Sequence, residues 1–361
     1  MILQTKKIIS LSIPSIIAII SIELMNVVIF QSSPIKENML LLILWLLLQS
    51  LGGFIYASFS DKHYRKKILI ISQIFGVIIG SSFFIFHMEI WSIFLIAIFY
   101  NPLPVARAAM LDNFPKISSL RILGITYIAQ YIPWFLFDYI LTFNFHRVIL
   151  FILSLLLINI FITFFYFKDF YDKFDKKNHF SSLKIVLILT LIAFTLSETS
   201  FYIDWDVLEY TPIIRYWFTP TTFATVLGIS IGMFYSRIPH ISFITLCYFL
   251  GSGTMLVSIF IFLYFSSAHN AESLVIPMGY FAIVGGLYLP FVADTVIKMV
   301  GSKRKAFGSA LIEFCAVIAT GIAWFISYFT KNLILSILII LFILFLSAAL
   351  LQKRSEKLQS Q

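Results

Sequence analysis

Five ionisable side chains stand inside long apolar runs of this sequence: Glu23, Arg107, Asp138, Glu198 and Glu313. A charge held at the centre of a bilayer costs on the order of 2.5–3.5 kcal/mol on insertion scales, so such residues line a cavity or pair with one another. Glu23 in SIELMN and Glu198 in LSETSF are lone carboxylates in the outer halves of their runs. Sheltered from water, either could load and release a proton or cation as access to it alternates, which makes the two the candidates for coupling. Pairing with donors inside the helices would leave the same pattern. Asn26, three residues after Glu23, shares its helix face, and Gln49 and Gln130 are polar groups in mid-run; these suit a cavity lining. Tyr127, Tyr131, Trp134 and Trp324 would serve as aromatic walls, or as packing and interfacial anchors. Arg107, about one turn from Asp112, is either a ligand for an anionic solute or part of an inner gate, and its place near the end of its run favours the gate. Asp138, Asp204 and Asp206 lie near run ends and reach water.

The elements that position these groups follow from composition. Of 361 residues 60% are hydrophobic and 12% charged, against about 25% charged in soluble domains. The 40 phenylalanines and the Ile/Leu runs suit lipid-facing helices rather than the weak alternation of a barrel. At about 20 residues per span, helices are expected at 8–31, 39–60, 68–87, 90–112, 122–143, 148–167, 184–204, 213–235, 241–265, 274–298, 307–329 and 332–351. The first has spanning length and lacks a cleavage motif, so it is read as a span and not a signal peptide. The expected class is an all-α polytopic membrane protein of about twelve transmembrane helices with both termini on one side. Loops on that side carry Lys62, Arg65, Lys66, Lys67, Lys173, Lys176, Lys177, Lys303, Arg304 and Lys305, whereas those on the other hold only Lys36, Arg147 and Lys331. By the positive-inside rule the termini are cytoplasmic, in a cell's inner membrane. The net charge of +9 is therefore a matter of topology, and no nucleic-acid partner is implied.

The polar stretch at 168–183 divides the spans six and six, giving an N-terminal bundle over 1–167, a cytoplasmic linker, and a C-terminal bundle over 184–361. The halves resemble one another. Asp112 and Asp294 stand at the same mouth of the fourth and tenth spans, and Glu23 and Glu198 in the first and seventh. Parallel repeats of this kind let two bundles rock about a central site. The most specific local signal follows the second span, Ala57-Ser-Phe-Ser-Asp61-Lys62-His-Tyr64-Arg65-Lys66-Lys67. In position and in its Asp and basic register it resembles the cytoplasmic signature of the major facilitator superfamily, with Ala57 and Tyr64 replacing the two glycines. The resemblance implies that Asp61 caps the N-terminus of the eleventh span near 307–309, and that Arg65 pairs with Asp112. Asp61, Lys62, Arg65, Arg107, Asp112 and Asp294 then form a cytoplasmic gate. The family's antiporter glycines are missing from 122–143, which counts against an efflux antiporter.

Cys247 and Cys315 lack ligand-spaced partners, so no metal and no cofactor is expected. The six histidines lie in loops or at helix ends, so no nucleophile–base pair points to an enzyme. The expected function is a secondary active transporter, a monomer taking up a small-molecule solute by proton-coupled symport, with protons and the lipid bilayer as its other partners. An exporter of an amphipathic metabolite, siderophore or drug is the rival within transport. A lipid-handling, assembly or enzymatic membrane protein is the rival outside it. The topology is checked by single cysteines: labelling from the cytoplasm alone is expected at Lys66, Lys177 and Lys303, and from outside alone at Lys36, Arg147 and His269. Outside labelling at Lys177 would break the six-plus-six arrangement.

Overall fold

The computed structural model describes residues 2–30, 38–62, 64–86, 90–115, 117–140, 142–167, 218–234, 275–301 and 304–330, with 339 and 342. Among these residues every regular element is a helix, as the composition requires: α1 Ile2–Phe30, α2 Met39–Ser60, α3 Arg65–Phe86, α4 Ile90–Phe99, α5 Leu103–Asn113, α6 Ser119–Phe135, α7 Phe137–Ile140, α8 Phe145–Tyr166, α9 Phe218–Phe234, α10 Val275–Val300 and α11 Lys305–Thr330. The spans expected at 184–204 and 241–265, nearly all of 332–351, and Glu198 lie outside the described residues. The chain divides into two compact units, Met1–Asn178 with Val296–Phe314, and His179–Thr295 with Cys315–Gln361.

Five described stretches, among them the tandem α4–α5, are long and apolar enough to cross a bilayer. They differ in which way their apolar surface faces. In α1 and α4–α5, 72% and 78% of the residues in the spanning window are buried, against 33% in α2 and in α8. The first pair therefore forms the middle of the first unit, and the second pair is its more exposed part. On α8 the outward stripe is aromatic, with Phe151, Phe161, Phe164 and Phe165 exposed, while Ile149, Ile152 and Leu156 on the opposite face join a core with Met25, Phe83, Ile93 and Ile96. Asn38 and Asn144 cap α2 and α8 by accepting from Leu41 N at 3.2 Å and His146 N at 2.9 Å, the usual service of an asparagine at an N-cap. Inside the unit, Asn159 on α8 donates to the Pro14 carbonyl of α1 at 2.9 Å; Pro14 is the point where α1 lacks an internal N–H donor.

The run at 90–112, expected as one helix, is interrupted at Tyr100–Pro102. Pro102 and Pro104 have no N–H to carry the ladder across, so α5 starts anew with prolines in its first turn. Asn101 occupies the break and satisfies what it exposes: its Oδ1 accepts from Leu103 N at 3.2 Å and its Nδ2 donates to the Gln49 carbonyl of α2 at 2.8 Å. Tyr56 Oη donates to the Phe99 carbonyl at 2.5 Å. The run at 122–143 is interrupted too, beyond Pro133, where α6 gives way to the short α7.

In the second unit α9 and α10 meet through glycine. A Cβ on Gly228 would stand 2.1 Å from the Ile283 carbonyl oxygen, and one on Gly286 2.1 Å from that of Thr225. Gly52 plays the same part in the first unit, where its Cβ would meet the Ile98 carbonyl oxygen at 2.3 Å. Because the obstacle is backbone, α2 and α4 must part to admit any side chain. Gly52→Val is expected to destabilise the protein by about 1–3 kcal/mol, the usual range for overpacking, read as a lowered melting temperature in detergent. An unchanged melting temperature would show that the two helices are not packed this closely.

Candidate functional site

Two polar groups within the first unit contain nearly all the candidate residues. The first closes around the loop between α2 and α3. Asp61, at the end of α2, turns its carboxylate to the start of α11, accepting from Phe307 N at 2.9 Å and Ala306 N at 3.3 Å. These are orphan donors of a helix N-terminus, where negative charge is favoured. Arg65, at the start of α3, donates from Nη1 to Asp61 at 3.1 Å and to Ser60 Oγ at 2.8 Å, and from Nε to Asp112. Lys305 completes the set, its Nζ 2.7 Å from the other oxygen of Asp112. Two carboxylates and two cations thus alternate along one chain of contacts. Burial pushes the Asp61 carboxyl up from its ordinary range, against the opposing pull of Arg65 and the two backbone donors. The cost of taking these charges out of water offsets much of their mutual attraction, so a buried ionic chain of this kind contributes little net stability.

Around this ionic chain the packing is small and close. Ala57, Ala108, Ala306 and Ala310 form a buried cluster with Phe54 against it, and Phe54 meets the rings of Phe307 and Phe314 at 5.4 and 5.2 Å between centroids. Gly308, whose Cβ would come within 3.2 Å of Ile297, lets α11 begin directly against the end of α10.

The second group lies deeper, among apolar helix interiors. Arg107 on α5 is 2% exposed. Its Nη1 donates to Glu313 Oε1 at 3.0 Å and Ser309 Oγ at 3.4 Å, both on α11, and its Nη2 to Gln130 on α6. The guanidinium carbon sits 4.3 Å from the centroid of the Tyr127 ring, a cation–π contact. The remaining donor, Nε, is buried with no hydrogen-bond partner, a deficit of about 1–3 kcal/mol for a buried donor. Beside it Glu23 accepts from Trp134 Nε1 at 3.0 Å and Asn26 Nδ2 at 3.2 Å, and Gln49 Nε2 donates to Asn26 Oδ1 at 2.6 Å. Gln130 lies against Glu23 as well as Arg107, and Arg107 is within electrostatic reach of Glu23. Two carboxylates here face a single cation.

The structure thus brings Glu23, Asn26, Gln49 and Gln130 into one group and Asp61, Arg65 and Asp112 into the other. Arg107 directs its guanidinium to the first of these and not to Asp112. Lys62 is exposed, and Asp294 is buried on α10 in the other unit. Three participants were not singled out from sequence for these contacts. Glu313 was recognisable as an intramembrane charge, but its partner is 206 residues away. Trp134 was read as a wall and not as a donor to Glu23, and Lys305 as a topology determinant. Among the described residues no cluster of His, Cys, Asp or Glu has the makings of a metal site.

No protein-family model and no curated protein matches the sequence. Solved structures do match. The human organic anion transporter MFSD10 (TETRAN) superposes with a TM-score of 0.74 at 11% identity, over 95% of this chain and 98% of that one. The Escherichia coli fucose:proton symporter FucP superposes with a TM-score of 0.70 at 14% identity, over 97% and 98%. At these identities the likeness is one of fold, which this chain shares with both structures over nearly its whole length.

The ionic chain yields a ranked expectation. Asp112→Asn leaves the buried Arg65 short of a counter-charge and is expected to destabilise at the low end of the roughly 3–5 kcal/mol seen when a buried pair loses one member. Lys305 is 22% exposed at its side chain, so Lys305→Ala is expected to lose no more than about 1 kcal/mol. Thermal melts of the two variants check the order, and equal losses would contradict it.

Proposed function

We propose that this protein is a secondary active transporter that carries a small solute across the inner membrane by alternating access, driven by protons and directed inwards. The observation that carries this reading is the interior polar group of Glu23, Arg107, Gln130 and Glu313, of which Glu23 and Arg107 are buried on helices long and apolar enough to cross a bilayer. Polar residues at that depth are retained where they line a pathway or hold a coupling ion. The fold agrees, being shared with a transporter of organic anions and with a fucose:proton symporter. By the sequence's charge bias the end that holds Asp61 is cytoplasmic, so the Asp61–Arg65–Asp112–Lys305 chain is the inner gate, closed in the state described. The protein acts as a monomer and catalyses no covalent chemistry.

Opening that gate exchanges contacts of modest net strength. The Asp61 carboxylate leaves the start of α11, and the freed groups meet water, which replaces much of what they lose. A solute tips such an equilibrium only by its differential affinity for the two states. The proton is held by one of the carboxylates: Glu23 or Glu198, which the sequence singles out, or Glu313 across Arg107.

The test uses liposomes containing the purified protein and a solute selected from a metabolite panel by thermal stabilisation. Accumulation driven by an imposed pH gradient is expected. Among Glu23→Gln, Glu198→Gln and Glu313→Gln, the variant that removes the coupling proton should lose accumulation yet keep exchange at equal concentrations, because exchange needs alternation but no net proton movement. If all three accumulate solute as well as the parent protein, protons do not couple through these carboxylates.

A further inference from the structure

We infer that the solute is a carboxylate anion bound on Arg107, and that the Glu313 carboxylate occupies its place until a proton releases it. This deepens the transporter reading above and rests on it.

The geometry of the guanidinium is the starting point. Arginine presents a planar fork of N–H donors that matches a carboxylate with two parallel hydrogen bonds. In Arg107 one donor edge is incompletely used. Nη1 holds Glu313 and Ser309, Nη2 holds Gln130, and Nε is buried without an acceptor. The site therefore has a donor to spare, an aromatic face in Tyr127 to keep the plane fixed, and a carboxylate already seated on it at 3.0 Å. A free carboxylate, unrestrained by a side chain, can lay both oxygens along the Nη1–Nη2 edge, where Glu313 places one oxygen on Nη1.

Of the two carboxylates present, Glu313 is the one able to leave. Glu23 has its own donors in Trp134 and Asn26 and is buried, 3% exposed. The Glu313 side chain is 18% exposed and holds Arg107 at 3.0 Å, with Asn101 as a second hydrogen-bond partner, whereas Glu23 is bound by Trp134, Asn26 and Gln130. Ser309, one turn before it on the same helix, marks the direction in which Arg107 reaches α11.

Charge then decides the order of events. With Glu23 and Glu313 ionised and Arg107 cationic, the group carries one net negative charge. A monoanion entering directly would double that charge in a medium of low dielectric, which is heavily opposed. A proton taken from water onto Glu313 removes its claim on Arg107, and the incoming carboxylate then restores the same total. Among the described residues the charged groups bearing on Glu313 from other helices are Arg107 from α5 and Glu23 from α1, with Asp61 and Asp112 nearer the helix ends and Lys305 at the start of α11 itself; none of these supplies a second cation beside it. Loading is therefore electroneutral, one proton with each monoanion. A cationic solute would cancel the net charge too, but it would lie against the guanidinium and be repelled by it.

The test uses purified full-length protein and three matched probe sets: monocarboxylates (lactate, hexanoate, benzoate), their primary amides, and the corresponding amines. Binding is read by thermal stabilisation at mildly acidic and mildly alkaline pH. The parent protein is expected to bind carboxylates with an apparent Kd that weakens about tenfold per pH unit while Glu313 is ionised, the signature of one linked proton. Glu313→Gln, uncharged at every pH, should bind them with that slope abolished, and Arg107→Gln should lose the binding. Should Arg107→Gln fail to fold, the flattened slope of Glu313→Gln decides alone. Stabilisation by amides or amines but not carboxylates, a slope that persists in Glu313→Gln, or a panel that binds nothing in that variant would each overturn the proposal. Failure of the broader reading looks different. Carboxylate binding with no pH-driven accumulation in liposomes leaves the site standing and removes the proton-coupled transporter, whereas pH-driven uptake of a neutral solute does the reverse.

Discussion

A guanidinium cannot shed its charge at any accessible pH, so a helix that carries one into an apolar interior must find acceptors for it there. Arg107 imposes that condition on the first unit. It draws Gln130 from α6, Glu313 and Ser309 from α11 and the face of Tyr127 into a single shell. Gln130 extends the shell to Glu23, and through Asn26 and Gln49 it reaches α2. Chains of this kind polarise one another in low dielectric and hold the backbone to a narrow set of arrangements. The interruption between α4 and α5 belongs to the same scheme. Asn101 ties the break to the Gln49 carbonyl, so the helix that bears Arg107 starts from a fixed point.

The loop between α2 and α3 answers a different constraint. It has to turn the chain within a few residues while keeping Asp61 and Arg65 out of water. It does so by placing each against a partner that is itself short of one: the free N–H groups at the start of α11, and Asp112. Where the major facilitator signature has glycine, this chain has Ala57 and Tyr64. Ala57 is buried without exposure in a cluster made only of alanines, so the close approach survives. Tyr64 is 58% exposed, with Lys67 Nζ over its ring at 5.8 Å.

Much of the first unit was legible in the sequence because a bilayer demands long apolar runs and basic loops, both of which are local features. The spans read at 39–60 and 148–167 lie close to Met39–Ser60 and Phe145–Tyr166. The breaks at Tyr100–Pro102 and beyond Pro133 escape hydropathy, which is blind to a missing N–H inside a run of spanning length. The contacts of Asp61 and Arg65 could be anticipated only through resemblance, since nothing in residues 57–67 names a partner 47 positions later for Arg65 or 246 positions later for Asp61. The polar group around Arg107 was legible in its members and not in its pairings. Glu23, Asn26, Gln49 and Gln130 stood out as polar residues in apolar runs, whereas the link from Arg107 to Glu313 exists only once α5 and α11 are side by side.

The first unit is drawn from two distant stretches of chain, Met1–Asn178 and Val296–Phe314, and this sets a sequence of events during synthesis. At ribosomal rates of about 5–20 residues per second, the interval between the appearance of Arg107 and of Glu313 is about 10–40 s. Throughout it the early helices sit in the membrane without the start of α11. Arg65 already has Asp112, and Arg107 already has the Gln130 acceptor and the Glu23 carboxylate within electrostatic reach, so neither cation waits bare. Asp61 has Arg65. The long-range contacts therefore arrive as replacements for water or lipid headgroups at sites that are half satisfied beforehand, and the newborn chain can pause at its midpoint without a naked charge in the bilayer.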